Sequence, residues 1–451
     1  MTFGQALDYL GSLEALGIRP GLDRIRALLA RLGDPHEAFP SVLIGGTNGK
    51  GSISASLVSI LREAGVVAAA YTSPHLVRFE ERVVVGGEPI GEEQVAALTA
   101  EVRRAIEAGG AAGEESPTYF EATTALAFLH FKRRRVPIAV LEVGMGGRFD
   151  ATNVKAPLAC AISTISLDHM QWLGATLEEI ASQKAGILKP GVPAVLSRQD
   201  PGALEVIRAE AAHVGARLVL AADCTVVPAG GARFPDPPVF TLTTPSGRRY
   251  DDLALALRGS HQVANATTAV LLAELLAARG FPSIDVRAIA RGLARAVWPG
   301  RIEIVPGGGS AGASHRLTDG DPDLLLDGAH NPAGCEALAA YLRDYQAGRR
   351  ACLVFAVMKD KPADRMLSIL GPCADEVVVT SLPVARGAPP ELLAKLARQR
   401  HRRVRVAPRI DDALRAARDA AGPGGLVVVS GSLYLVGEVK KILASGPSGD
   451  S

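Results

Sequence analysis

Apolar residues at Leu22, Ile25, Leu28, Leu29 and Leu32 recur at helical spacing, so residues 1–38 are expected to be helical. From Val42 the pattern changes. Short apolar runs at Val42–Ile44, Val66–Tyr71, Ile138–Glu142, Cys160–Ile165 and Ala194–Ser197 alternate with amphipathic stretches at Glu92–Ala108, Tyr119–Arg134 and Leu177–Leu188. Such alternation predicts crossover connections and a mostly parallel sheet covered on both faces. Gly86-Gly87, between Arg82–Val85 and Pro89-Ile90, reads as a hairpin turn. Residues 217–258 are rich in Pro, Gly and Thr and predict short antiparallel strands. Helices over Gln262–Arg279 and Val286–Val297 follow.

A turn-rich break at Trp298-Pro299-Gly300-Arg301 and a loop over Pro306–Asp323 precede a second α/β pattern. Its expected strands are Leu324–Leu326, Cys352–Val357, Glu376–Thr380, Val404–Val406 and Leu426–Ser430. Helices are expected over Ala333–Asp344, Ala363–Leu370, Pro390–Gln399 and Asp411–Ala420. At 451 residues the chain is too long for one core. The pattern divides it into a large domain, 1–297, and a smaller α/β domain, 298–451.

Composition narrows the class. Apolar residues make up 48% and charged residues 21%, which suits a well-buried globular protein. Aromatics are only 4%, so Val, Leu, Ile and Ala must fill the cores. A net charge of +2 gives no reason to propose a nucleic-acid or membrane partner. The basic run Lys132–Arg135 ends an expected helix, where cations favour the dipole. Five scattered cysteines without a Cys-x-x-Cys pair argue against a disulfide framework or a zinc site. The start lacks the layout of a signal peptide, and no apolar stretch is long enough to span a bilayer. A soluble protein of the cytoplasm is the expectation.

The chemistry begins at Gly45-Gly46-Thr47-Asn48-Gly49-Lys50-Gly51-Ser52, set between the run Ser41–Ile44 and the helical Ile53–Val58. A strand feeding a glycine-rich turn that opens a helix is arranged to grip a polyphosphate. Small residues let backbone N–H groups converge on the anion, and the helix N-terminus adds positive potential. Lys50 would bring a point charge to the outer phosphates, and Ser52 a hydroxyl for Mg²⁺. The spacing departs from the general phosphate loop, which has a longer spacer before its Gly-Lys pair and Ser or Thr directly after the lysine. Here Gly51 separates Lys50 from Ser52. An ordinary glycine-rich turn is the alternative, but the lysine and serine match the mechanics of ATP binding.

Other blocks fall at expected strand ends, where parallel sheets build their ligand sites. Glu142 opens the glycine-rich Glu142–Asn153, and a carboxylate there can hold Mg²⁺. A surface charge or helix cap is the ordinary alternative. Ser166-Leu167-Asp168-His169 follows the next run, although a histidine in such a place is more often a satisfied core residue. Lys184, in Ser182–Ile187, lies late in a helical stretch, where a solvated lysine is common. Ser73 precedes a proline after the second strand, an ordinary turn position. Ser260 reads as an N-cap before His261–Ala266. In the second domain, Asp327–Pro332 and Val429–Tyr434 also sit at strand ends.

Taken in order, these blocks resemble those of the folylpolyglutamate synthase and dihydrofolate synthase family of the Mur ligase superfamily. The resemblance covers nearly the whole chain, from 45–52 to 430–434. It implies an α/β fold: a large P-loop-type Mur ligase central domain with a mostly parallel sheet, and a smaller Rossmann-like C-terminal domain. Thr47, Asn48, Gly49, Lys50, Gly51 and Ser52 then form the nucleotide loop. By the same likeness, Glu142, His169, Ser52 and Ser73 contact Mg²⁺, and Ser73 anchors a mobile loop over the site. Asp150 and Ala151, in Asp-Ala-Thr-Asn, lie near the pteridine substrate. Lys184 is the lysine that this family carbamylates with CO₂; a carbamate replaces a repelling ammonium with oxygens and negative charge. Asn265 contacts the adenine side of ATP. Arg301 reaches the phosphates, Asp327 the nucleotide, and His330 the phosphate or amino-acid region. Ser430 and Ser432 are candidates for the incoming glutamate.

The implied enzyme is an ATP-dependent ligase that adds L-glutamate to a folate, or to dihydropteroate, through an acyl phosphate. Lys50, Lys184 and His330 would carry the chemistry, with domain closure excluding water. A cytoplasmic monomer is the family expectation. Three rivals stand beside it. A Mur ligase acting on a cell-wall precursor is disfavoured by Asp-Ala-Thr-Asn. A phosphotransferase or ATPase would release ADP without needing both acid and amino acid. A nucleotide-gated switch is disfavoured by the lack of an Asn-Lys-x-Asp motif.

Overall fold

Val42, Leu43 and Ile44 are wholly buried, yet they serve two different cores, because successive side chains of a strand point to opposite faces. Leu43 packs with Tyr71, Leu141 and Ile162 on one face, whereas Val42 and Ile44 pack with Val140, Ala161 and Val195 on the other. A strand apolar on both faces belongs inside a sheet with helices on both sides. The computed structural model describes residues 1–110, 115–229, 236–307, 320–346 and 348–445. Most of the expected loop Pro306–Asp323, namely 308–319, lies outside the described residues.

The described residues divide into two compact units. The first takes in those of Met1–Ala229, Val239–Ala256 and Gln262–Val297; the second takes in those of Gly230–Pro238, Leu257–His261 and Trp298–Ser451. The strands of the first unit are β1 (Ser41–Gly45), β2 (Ala69–Tyr71), β3 (Val83–Val85), β4 (Glu88–Pro89), β5 (Ala139–Glu142), β6 (Ala159–Ile162), β7 (Pro193–Leu196) and β8 (Arg217–Leu220). They form one sheet in the order β4-β3-β2-β5-β1-β6-β7-β8, parallel from β2 to β8. β3 and β4 turn back through Gly86-Gly87, as the sequence suggests. A smaller antiparallel sheet holds β9 (Thr225–Pro228), β10 (Val239–Thr243) and β11 (Arg249–Ala254).

The helices of this unit are α1 (Phe3–Ser12), α2 (Asp23–Arg31), α3 (Lys50–Glu63), α4 (Glu92–Ala108), α5 (Tyr119–Arg134), α6 (Met170–Leu173), α7 (Leu177–Ala185), α8 (Pro201–Val214), α9 (His261–Ala277) and α10 (Val286–Ala294). Helix α5 shows why the pattern was readable. Thr118 caps it, accepting from the Glu121 N–H, while Glu121 reaches back to the Thr118 N–H at 2.8 Å. Such reciprocal caps contribute about 1 kcal/mol. Lys132, Arg133 and Arg134 fill its last turn, where cations oppose the exposed carbonyls.

The second unit has β12 (Glu303–Val305), β13 (Asp323–Leu326), β14 (Ala351–Phe355), β15 (Glu376–Val379), β16 (Val404–Val406) and β17 (Leu426–Ser430). Their order is β12-β13-β17-β14-β15-β16, parallel except at the edge strand β12. Helices α11 (Pro332–Tyr345), α12 (Ala363–Leu370), α13 (Pro390–Arg398), α14 (Ile410–Ala421) and α15 (Leu433–Ala444) complete it.

Several expectations need correction: the helix expected over Val286–Val297 ends at Ala294, and the strand expected over Cys352–Val357 runs from Ala351 to Phe355. The strand expected over Val66–Tyr71 is only Ala69–Tyr71. The run Cys160–Ile165 leaves the sheet after Ile162, because Thr164 turns its carbonyl to the glycine-rich loop. The helix expected to reach Leu188 stops at Ala185 with Gly186 as its C-cap, where a Cβ would stand 2.4 Å from that of Arg148. Finally, Arg217–Leu220 is no part of an antiparallel group: it joins the large sheet beside β7 in parallel. No helix among the described residues is long and apolar enough to cross a membrane.

Candidate active site

Parallel register places the strand ends of the first unit along one rim. Ile44 lies opposite Glu142, Gly45 opposite Ile162, Tyr71 opposite Leu141 and Ile162 opposite Leu196. The loops opening at Gly46, Thr72, Val143 and Ser163 therefore emerge side by side, the position at which open α/β sheets bind ligands. This brings together Lys50, Ser73, Glu142 and the segment leading to His169.

Two glycines shape the loop before Lys50. Gly46 has φ 130°, and a Cβ there would fall 1.8 Å from Ser163 Oγ. Gly49 has φ 92°, and a Cβ there would fall 2.4 Å from Asn265 Oδ1. Both positions need glycine for backbone and for space. The loop is braced from outside: the Thr47 and Asn48 N–H groups donate to the Thr164 carbonyl at 3.0 and 3.2 Å. Asn48 Nδ2 donates to Ser166 Oγ at 3.0 Å. Lys50, Gly51 and Ser52 open α3, with Ser52 buried. Asn265, in the second turn of α9, is buried against Gly49, and its Nδ2 donates to Gln262 Oε1 at 2.9 Å.

Two lysines meet here. Lys184 Nζ donates to the Gly46 carbonyl at 2.7 Å, and Lys50 Nζ donates to the same carbonyl at 3.3 Å and to that of Thr47 at 3.2 Å. Lys184 is buried, not solvated as a lysine near a helix end usually is. Burial first, and the Lys50 charge second, pull its ammonium down to about 7, against opposing pulls from Asp168 and Asp150. Close to neutral pH, then, a large share of Lys184 is the uncharged amine.

Glu142 is buried at the end of β5. His169 starts α6 in a left-handed conformation, φ 50°, with its N–H donating to Asp168 Oδ1 at 2.9 Å. Ser73 follows β2, and the Leu76, Val77 and Arg78 N–H groups beyond it all donate to the Glu81 carboxylate. Among the described residues, no three His, Cys, Asp or Glu side chains gather as a metal cluster. The Glu142 carboxylate and the hydroxyls of Ser52 and Ser73 are hard oxygen donors of the kind Mg²⁺ takes, usually one or two carboxylates completed by phosphate oxygens and waters, whereas the His169 imidazole is not a usual donor for this metal.

Asp150 and Ala151 are buried. The Asp150 carboxylate accepts from the N–H groups of Met145 at 2.9 Å and Thr152 at 3.0 Å, so it shapes the Glu142–Asn153 loop from within. Burial raises its pKa, and these hydrogen bonds oppose the rise. Asn153 Nδ2 ties the loop to α7 through the Gly186 carbonyl at 3.0 Å.

In the second unit the ends of β13 and β17 interlock. The Asp327 N–H donates to the Val429 carbonyl, and the Gly431 N–H to that of Ala329, each at 3.0 Å. The Asp327 carboxylate is buried and accepts from the Ile302 and Ala329 N–H groups, both at 2.9 Å. Burial raises its pKa, opposed chiefly by Arg301. Arg301 Nη1 lies 2.4 Å from where a Cβ on Gly328 would stand, so Gly328 makes room for the guanidinium. His330 Nδ1 donates to the Gly328 carbonyl at 2.8 Å, which leaves the lone pair of the neutral ring on Nε2. Ser430 is fully buried, and its hydroxyl has no hydrogen-bond partner among the described residues. Ser432 caps α15, accepting from the Tyr434 N–H.

The sequence reading missed two features. A cavity of about 380 Å³ lies in the first unit against α1 and the segment after Ser73; its lining includes Phe3, Leu7, Phe79 and Tyr119, with His75, Arg78 and the carboxylates of Glu14, Glu80 and Glu92 among its polar members. Nothing in the composition of α1 marks it as a cavity wall. Phe149 (49% exposed) in the Glu142–Asn153 loop, and Leu167, Met170 and Trp172 (42%) in and before α6, offer apolar surface to solvent. Exposed large apolar residues beside a polar rim suit an aromatic ligand.

Comparison with known proteins gives a consistent picture. Residues 44–273 match the Mur ligase middle domain, and residues 315–433 match the Mur ligase glutamate ligase domain. The chain is 36% identical over 443 residues to the dihydrofolate synthase/folylpolyglutamate synthase of Bacillus subtilis, covering 98% of this chain and 99% of that one. Its fold is similar to that of Mycobacterium tuberculosis folylpolyglutamate synthase complexed with ADP and AMPPCP, with TM-score 0.84 and 32% identity over 98% of this chain and 100% of that one. It is also similar to Escherichia coli FolC in complex with DHPP and ADP, with TM-score 0.82 and 30% identity, covering 97% of each chain.

Proposed function

The chain belongs to the folylpolyglutamate synthase/dihydrofolate synthase family, and from that premise we propose that it is an ATP-dependent ligase joining L-glutamate to a folate and to dihydropteroate. What carries the reading is the meeting of Lys50 and Lys184 on the Gly46 carbonyl, one strand from the buried Glu142. A carboxylate is a poor acceptor for an amine at neutral pH. ATP transfers its terminal phosphoryl group to the acid, giving an acyl phosphate and ADP. The amine of glutamate attacks the acyl carbon, a tetrahedral intermediate forms, and phosphate leaves as the amide bond closes.

The residues contribute position and charge. Lys50 faces the outer phosphates, held in place by the helix start and by two carbonyls of its own loop. Asn265 supports the loop at Gly49 and is assigned to the adenine side. Glu142, with Ser52, Ser73 and His169, would hold Mg²⁺, which when bound would neutralise charge on the phosphates. The pteridine ring is assigned to the Asp150–Ala151 loop and the exposed apolar groups beside it. In the second unit, Arg301 and Asp327 are assigned to the nucleotide, His330 to the phosphate or amino-acid region, and Ser430 and Ser432 to glutamate. A monomeric cytoplasmic enzyme without a nucleic-acid partner completes the proposal; sedimentation tests the first part.

Lys184 acts as a carbamate. Its uncharged amine attacks CO₂, a N–C bond forms, and the nitrogen loses a proton. The product carries negative charge where two ammonium groups would otherwise repel each other and the metal. The lowered pKa supports this step, because a lysine at its ordinary 10.5 is almost wholly protonated at neutral pH.

An ADP-release assay with glutamate and dihydropteroate, tetrahydrofolate or neither tests the function. ADP is expected with either pterin acid and not without one. Release that ignores both acid and amino acid assigns a simple ATPase instead. The metal assignment has its own check. Glu142→Gln is expected to weaken Mg²⁺ in nucleotide-dependent calorimetry by about 10–100-fold, and an unchanged titration removes Glu142 from the metal.

A further inference from the structure

Strand β7 ends at Leu196, and the turn beyond it carries Gln199, a side chain with no place in the chemistry above. Its Nε2 donates to the Ser163 carbonyl at 2.9 Å and to that of Ile162 at 3.4 Å, and its Oε1 accepts from the Ile165 N–H at 3.0 Å. The pairing of β6 with β7 ends at Ile162 and Leu196, followed by a last bond from the Ser197 N–H to the Ile162 carbonyl at 3.0 Å. The Ser163 N–H keeps one last bond to β1, donating to the Gly45 carbonyl at 2.8 Å, but the Ser163 carbonyl and the Ile165 N–H lie beyond the ladder with β7 and need other partners. The Gln199 amide offers one donor face and one acceptor face, as a peptide of a neighbouring strand would, and so extends the pairing with a side chain.

The consequence reaches the phosphate loop. Between Ser163 and Ile165, both fixed by Gln199, sits Thr164, whose carbonyl accepts the N–H groups of Thr47 at 3.0 Å and Asn48 at 3.2 Å. The next residue in the same segment, Ser166, donates its N–H to Thr47 Oγ1 at 3.1 Å and accepts the Thr47 hydroxyl on its carbonyl at 3.2 Å. Its own Oγ accepts from Asn48 Nδ2. Every one of these bonds ends on the two residues that precede Gly49 and Lys50. A shift in 163–166 therefore moves the loop that is to hold the phosphates. The turn has a second anchor: Ser197 Oγ pairs with Thr268 Oγ1 at 2.7 Å, in the helix that carries Asn265.

We propose that Gln199 is a positioning residue for the nucleotide: it sets the phosphate loop through the backbone of 162–166 without touching ATP. The inference rests on the functional reading above and adds a residue that this reading does not use. It separates two variants by chemistry. Gln199→Glu keeps an acceptor for the Ile165 N–H but turns a second oxygen on the Ile162 and Ser163 carbonyls. Gln199→Met keeps the length of the side chain and removes both functions.

The test measures ADP affinity by calorimetry, initial rates with each substrate varied in turn, and thermal melting. Both variants are expected to raise the ADP Kd and the ATP KM by about tenfold. The KM values for glutamate and for the folate are expected to stay within about twofold, because those substrates do not depend on Thr47 or Asn48. Unchanged ADP affinity in both variants overturns the proposal. So does a joint drift of all three KM values with a lowered melting temperature, or failure of both variants to fold, since either outcome makes Gln199 merely structural. Wild-type turnover in the same assay tests the ligase reading separately, because ADP binding is measured without acid or amino acid.

Discussion

Lys50→Ala is expected to lose about 10²–10³-fold in glutamate-dependent ATP turnover while remaining folded. The size follows from what the ammonium does. It opens α3, where the backbone already presents unpaired N–H groups, and it adds the one full positive charge of the nucleotide loop itself. Charge gathers on the transferred phosphoryl group during reaction, and a preorganised cation there acts more strongly in the transition state than in the ground state. The fold has little need of this lysine. Its two hydrogen bonds go to carbonyls of Gly46 and Thr47, and the Gly46 carbonyl keeps Lys184 as donor when Lys50 is gone. The variant should therefore melt within about 3 °C of wild type. Near-normal turnover in a folded Lys50→Ala protein would remove the phosphate-loop account.

Lys184→Met is expected to separate activity from stability in opposite directions. Activity should fall by at least about 10²-fold, because the variant forms no carbamate and the site loses a negative charge. Added bicarbonate should raise wild-type turnover in CO₂-depleted buffer and leave the variant unmoved. Stability follows from the titration. In the unfolded chain Lys184 holds its proton up to the ordinary 10.5; in the fold it loses the proton near 7. Between these values the unfolded state binds more protons, so this group adds stability as pH rises from 7 towards 10.5 and its full penalty is present below 7. Methionine abolishes the penalty. In CO₂-depleted buffer, where wild-type Lys184 is the free amine, the melting temperature of the variant minus that of wild type should be largest at about pH 6 and shrink towards about pH 9. A pH-independent difference would mean that Lys184 is not a buried, depressed lysine in solution.

Much of the architecture could be read along the chain, for a physical reason. Strands buried on both faces leave continuous apolar runs, and the helices between them leave amphipathic stretches with caps. The spans of α4, α5, α12, β16 and β17 coincide with their expected limits, and each is bounded by a clear signal, such as Thr118 and the basic turn Lys132–Arg134 for α5. Where a strand ends was less legible. Ser163, Thr164 and Ile165 are small or β-branched and read as a continuation of the strand, yet the Thr164 carbonyl turns to the glycine-rich loop, and no local pattern announces so distant a partner. Arg217–Leu220 failed similarly: Pro- and Gly-rich composition marks irregular structure but says nothing of which sheet accepts the first strand.

The site shows the same division. Gly46, Gly49 and Lys50 were visible because the loop concentrates residues that chemistry requires at short spacing. Glu142 and Lys184 stood out through their neighbours in sequence, but the burial of Lys184 and its meeting with Lys50 arise only when the end of α7 meets the loop that follows β1. Gln199 carried no signal at all, since one glutamine between Arg198 and Asp200 looks like any turn residue. Asp150 was expected at the substrate; what the structure shows of its oxygens is the bracing of its own loop.

The central claim is that the strand-end loops of the first unit together clasp one magnesium triphosphate. A crystal structure of the protein with Mg²⁺ and a non-hydrolysable ATP analogue tests it most directly. The outer phosphates should lie within hydrogen-bond reach of Lys50 Nζ, with the metal bonded to Glu142. A nucleotide bound away from that rim, with Lys50 and Glu142 making no contact to phosphate or metal, would contradict it.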